Sequence, residues 1–141
     1  MNEDLMAFKT AVHKLIGMAL TEDIGPGDVT TAGALQGNET GFAKAVAKSD
    51  MVVAGINVFR ESFLFLDPDI RFTAQVNDGD KVQRGDVIAV IQGRLGSILM
   101  AERTALNFFQ RMCGIATQTC RLVEAVKDCP VKIIHTRKTV P

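Results

Sequence analysis

The sequence predicts an α+β fold, on two observations. Apolar residues recur at helical spacing near the start and again over residues 97–112, and between these stretches lie short β-prone runs parted by turn residues. The 141 residues, 47% apolar and 23% charged, suit one ordinary globular domain with a real core. Sixteen basic residues balance sixteen acidic ones, so no overall field draws the chain to nucleic acid or an anionic membrane, and any anion must be held locally. Charge interrupts every apolar stretch well short of the roughly 20 residues a membrane span needs. Asn2, Glu3 and Asp4 stand where a signal peptide would be basic, so a cytoplasmic protein is expected.

The elements follow in order. Leu5, Phe8, Val12, Leu15, Ile16 and Ala19 recur at three and four, which predicts an amphipathic helix over 5–20 that docks by this stripe. His13 lies beside the stripe, where a solvent-facing or satisfied ring is expected rather than a metal ligand. Gly25-Pro26-Gly27-Asp28 then forms a shaped loop. Its neighbours Glu22, Asp23 and Asp28 are candidate catalytic carboxylates, although turn and capping hydrogen bonds are the commoner use of aspartate there.

A small mixed sheet is predicted from the runs 41–47, 51–54, 70–76 and 87–92, with a helix over 56–65 between the second and third. Within VNDGDKVQRGDVIAVIQG, Asn77-Asp78-Gly79 and Arg84-Gly85-Asp86 are turn signals on either side of a minimal strand. The pattern is similar to lipoyl and biotinyl carrier domains, but Lys81 lacks the acidic or methionine setting of a modified lysine, so the likeness is one of sheet architecture. A non-enzymatic interaction module on such a sheet is the rival reading of another class.

From Ser97 to Met112 a helix is expected to end at Gly114, where glycine suits a left-handed cap. Ile98, Ala101, Ala105, Phe108, Phe109 and Met112 share one face, read as core. Leu99, Arg103, Leu106 and Gln110 share a second. An arginine among leucines suggests that this second face is covered too, by another domain or another subunit; the alternative, and the commoner case, is an arginine snorkelling over its apolar neighbours. A further helix over 116–127 and a strand over 131–135 complete the reading. Cys113, Cys120 and Cys129 are odd in number and lack C-x-x-C spacing, so reduced thiols are expected rather than disulfides, zinc or a nucleophile. Thr136, Arg137, Lys138 and Thr139 put two cations and two hydroxyls after a strand, a pattern that can hold an anion.

Three segments carry a resemblance to a known family. EDIGPGDVTT at Glu22–Thr31, AERTALNFFQRMCGIAT at Ala101–Thr117 and TRKTVP at Thr136–Pro141 resemble, in order, motifs of the quinolinate phosphoribosyltransferases. The resemblance implies an α/β hammerhead-like sandwich domain over 1–114, including the long helix, and the start of an incomplete, TIM-like α/β barrel over 115–141. It implies an enzyme of NAD biosynthesis that joins quinolinate to phosphoribosyl pyrophosphate, with Mg2+, and releases carbon dioxide to give nicotinate mononucleotide. It further implies a homodimer with shared active sites, in which Arg103 reaches into the neighbour's barrel while Thr136, Arg137 and Lys138 contact the substrates. No catalytic group and no metal ligand is assigned in this chain. His135 stands where the family usually has aspartate. A complete barrel takes about 250 residues, so the expectation is that these 141 residues do not complete the reaction. A molybdenum-operon paralogue of the same fold is the nearer rival.

Overall fold

The computed structural model describes residues 3–25 and 39–136, with side chains of the first stretch from Phe8 onward. It is an α+β fold, as predicted. The elements are α1 (Glu3–Ile24), β1 (Thr40–Val46), β2 (Met51–Val52), α2 (Ile56–Leu66), β3 (Arg71–Ala74), β4 (Lys81–Val82), β5 (Val87–Arg94) and α3 (Leu95–Ala125). β5 is the middle strand of an antiparallel sheet ordered β1-β5-β3, and β2 pairs antiparallel with β4 in a second, two-stranded sheet.

The central strand is richest in β-branched residues, and Ile88, Ala89 and Ile91 are buried. Against it pack Phe59 and Phe63 of α2, Phe72 of β3, and Ile98, Ala101, Ala105 and Phe109 of α3. Phe59 is the hub. Its ring stacks on Phe109 at 4.7 Å between centroids and meets Phe63 and Phe72 edge-on at 5.4 and 5.5 Å. Edge-on and offset contacts match the ring quadrupoles, so the cluster adds to the burial of its area.

The two predicted turns form a repeat six residues apart. Asp80 and Asp86 each accept a side-chain hydrogen bond from the amide three residues back, at Asn77 and Gln83. Gly79 and Gly85, both at positive φ, donate to the carbonyls of Val53 and Ala47, one residue past the ends of β2 and β1. Between them β4 is the minimal strand expected, with Lys81 exposed. Asp78 faces the other way: its carboxylate accepts the amide of Ile56 at 2.8 Å and so caps α2, whose N-cap, Gly55, has no side chain to do it.

Asp67 follows α2 and is almost fully buried, yet it stays charged. Arg94 Nε donates to it at 2.9 Å and the Asp69 amide at 3.1 Å. The Arg94 guanidinium first, then the Ser97 side chain, outweigh burial and hold its pKa at about 2, below the ordinary 3.8. A depressed carboxylate contributes stability that is full above its unfolded-state pKa and lost as pH falls through the folded value. Asp67→Asn is therefore expected to lower stability at pH 7 by about 2 kcal/mol. The gap from the parent should narrow between pH 4 and pH 2, as urea unfolding midpoints would show; a gap constant across that window would remove Asp67 from the acid response.

The structure departs from expectation in three places. α1 packs on α2 and α3 through its second half, where Ile16 and Leu20 are buried, whereas Phe8, assigned to the docking stripe, is 63% exposed. Gly114 does not end a helix: α3 runs unbroken to Ala125 and absorbs the expected helix over 116–127. A glycine inside a helix costs only about 1 kcal/mol. Here Thr117 offsets it, accepting the Val52 amide at 2.9 Å and donating to the Cys113 carbonyl at 2.6 Å, which ties this stretch of helix to β2. Last, 131–136 is not a strand. No other strand among the described residues lies beside it to complete a ladder, and Val131, Ile133 and Ile134 stay exposed.

Candidate functional site

A cleft of about 850 Å³ opens where the last turn of α1 meets the first half of α3; Glu22 and Asp23 line one side, and Arg103, Asn107 and Arg111 the other. The three α3 residues are spaced by four, and each step of four turns about 40° around a helix, so they form a gently drifting polar line along one side. Two arginines and two carboxylates make the cleft formally neutral, as the whole chain is.

Arg103, which the sequence reading selected, sits on this line. Its side chain is 72% exposed and its Nε pairs with Asp23 Oδ1 at 2.5 Å. Arg103 Nη2 donates to the Asp23 main-chain oxygen at 3.4 Å, and the Thr104 hydroxyl donates to Asp23 Oδ2 at 3.3 Å. Arg103 thus pairs with the chain's own first helix, while most of its side chain stays exposed. Leu106, on the same predicted face, is packed against the core, while Leu99 remains exposed.

Of the remaining selected residues, Thr136 is exposed and is not among those lining the cleft, and Arg137 and Lys138 lie outside the described residues. Asp28 and the rest of the Gly25–Asp28 loop beyond Gly25 lie outside them as well. Gly25 itself is left-handed at φ 54°, which closes α1 where the loop was predicted to start.

Thr104, Asn107 and Arg111 were not selected from the sequence. The i, i+4, i+8 spacing of Arg103, Asn107 and Arg111 was the available signal. The sequence offers Asp23 as a catalytic or capping carboxylate, but its partner 80 residues away is not visible in any local pattern.

His13 and Cys113 have structural partners. His13 Nε2 meets Glu61 at 2.9 Å and its ring stands edge-on to Phe65. The Cys113 thiol is buried, accepts the Ala54 amide at 3.3 Å, and is pushed up in pKa by burial, which keeps it a thiol rather than a nucleophilic thiolate. All three cysteines are free. Among the described residues no three of His, Cys, Asp and Glu gather as a metal site, and no helix is long and apolar enough to cross a membrane.

Comparison with known proteins gives one consistent result. Residues 28–113 match the model of the quinolinate phosphoribosyl transferase N-terminal domain. The chain is 39% identical over 130 residues to a probable carboxylating nicotinate-nucleotide pyrophosphorylase of Bacillus subtilis, covering 92% of this chain and 45% of that protein. It is 42% identical over 128 residues to decarboxylating quinolinate phosphoribosyltransferase 1b of Nicotiana tabacum, covering 90% of this chain and 36% of that one. Among solved structures, NadC from Streptococcus pyogenes superposes with a TM-score of 0.89 at 35% identity, over 94% of this chain and 47% of that chain. The chain spans less than half the length of each of these relatives.

Proposed function

Because the chain belongs to the family of the quinolinate phosphoribosyltransferase N-terminal domain, we propose that it serves the transfer of a phosphoribosyl group from phosphoribosyl pyrophosphate to quinolinate, with loss of carbon dioxide to give nicotinate mononucleotide. The observation that carries this reading is Arg103, presented on a rigid helix at the edge of a cleft. Quinolinate carries two adjacent carboxylates on a planar ring, and the planar fork of a guanidinium matches a carboxylate better than a point charge does. Thr136, Arg137 and Lys138 are assigned to the same substrates. We assign residues 1–114 to the N-terminal domain, a reading supported by the family match over 28–113, and 115–141 to the opening of the barrel.

Glycosyl transfer through an oxocarbenium-like state depends on orientation and charge placement more than on a covalent nucleophile. Arg103 supplies binding of the dicarboxylate. It is 72% exposed, so it points away from its own core toward whatever completes the site, which we assign to a second copy of the protein in a homodimer. Magnesium would enter with the pyrophosphate substrate; among the described residues no three of His, Cys, Asp and Glu gather to hold it. The site of action is assigned to the cytoplasm.

The test is a direct assay. The full-length product of the gene, given quinolinate, phosphoribosyl pyrophosphate and Mg2+, is expected to form nicotinate mononucleotide detectable by chromatography, and residues 1–141 alone are expected to form none. No product from the full-length protein under conditions where it is folded would sink the reading.

A further inference from the structure

We propose that Asp23 is a positioning residue for Arg103, fixing one edge of its guanidinium so that the other edge is free to fork a substrate carboxylate. The inference rests on the reading of Arg103 as a substrate contact and adds to it a residue that holds the contact in place.

A guanidinium has two edges able to make paired hydrogen bonds, one from Nε and Nη2 and one from Nη1 and Nη2. Asp23 takes the first, its carboxylate at Nε and its main-chain oxygen at Nη2. The second edge is left for a ligand. Three features show that this grip is more than a chance surface ion pair. The second carboxylate oxygen of Asp23 is held by Thr104, the residue next to Arg103 and itself buried. The main-chain oxygen belongs to the last turn of α1, where carbonyls lack helical partners and the helix dipole is negative, so it is suited to a cation. And Asp23 is only 21% exposed, which shields one side of the pair from solvent.

A long, flexible arginine loses side-chain freedom when it binds. A clamp from the opposite helix meets that cost before the ligand arrives, which favours binding without altering the reacting atoms. Asp23 therefore acts on affinity for the dicarboxylate and leaves the chemical step alone.

In the full-length enzyme, Asp23→Asn is expected to raise KM for quinolinate about tenfold, the scale of one charge-assisted hydrogen bond, with kcat within about twofold and KM for phosphoribosyl pyrophosphate unchanged. In an Arg103→Ala background the same substitution should have no further effect, since the two residues act as one unit. If Arg103→Ala itself leaves quinolinate KM and turnover unchanged, the reading of the site fails and this proposal with it. If Arg103→Ala is damaging but Asp23→Asn behaves as the parent, or if the two effects simply add, the site stands and the role given to Asp23 is overturned. Thr104→Val, which removes only the hydroxyl grip on Asp23, should give a smaller rise of the same kind. It decides the matter alone should Asp23→Asn not be recovered folded, an unchanged KM then being the overturning result.

Discussion

Phe59→Ala is expected to destabilise the protein by about 4 kcal/mol, a large share of the 5–15 kcal/mol that holds a typical domain together. The ring is 1% exposed and is the only residue in contact with all three of Phe63, Phe72 and Phe109 among the described aromatic pairs, so it joins α2 to both β3 and α3. Removing it forfeits burial, leaves a cavity bounded by stiff rings, and breaks one stacked and two edge-on contacts at once. Phe42→Ala is the comparison. Phe42 lies on β1 at 67% exposure, and its loss should stay within about 0.5 kcal/mol. Urea unfolding of the two variants measures both. Equal effects would mean that the aromatic cluster is not the centre of the core.

The second large effect is at Gly55. Its φ of 84° is a left-handed conformation that side chains rarely adopt, and a Cβ there would stand 2.1 Å from Cε and 2.5 Å from Sδ of Met112 on α3. Gly55→Ala therefore combines backbone strain with displacement of a packed side chain, and about 3 kcal/mol is expected. Gly79 separates the two causes. At φ 95° it is equally left-handed, but an added Cβ meets nothing within 4 Å, so Gly79→Ala should cost only the strain, roughly 1–2 kcal/mol. If the two substitutions cost the same in thermal unfolding, the approach of Met112 contributes nothing.

What the sequence disclosed, and what it did not, divides along the range of the interactions. The turns around Lys81 and Val82 were legible because each is set within a few residues by a glycine and an aspartate. The buried face of α3 was legible for the same reason, its period being local: Ile98, Ala101, Ala105 and Phe109 are buried as expected. Gly114 misled because a lone glycine signals a helix end only when the chain beyond it has no reason to stay helical, and Thr117 gains its partner from β2, 65 residues earlier. The expected strand at 131–135 had the right residue types, but a strand is a relation between two segments, and its pattern says nothing of whether the second is there. Likewise Arg103 could be chosen from its neighbours and from the family motif around it, and Asp23 from its loop, while the pairing of the two across 80 residues could not. Asp67 carries no local mark of its role either, since Arg94 comes to it from the end of β5.

The unbroken run of α3 through Gly114 makes it a ruler. Its 31 residues extend about 46 Å at 1.5 Å per residue, with Arg103 near one end and the tie to β2 at Thr117 past the middle. Arg103 and Thr117 are thereby locked in phase as well as in distance. One residue inserted between them would advance the far end by about 1.5 Å and rotate it by 100°, turning Thr117 away from Val52 or Arg103 away from Asp23. Point substitutions along this helix change what it presents; a change in its length would change where everything attached to it points.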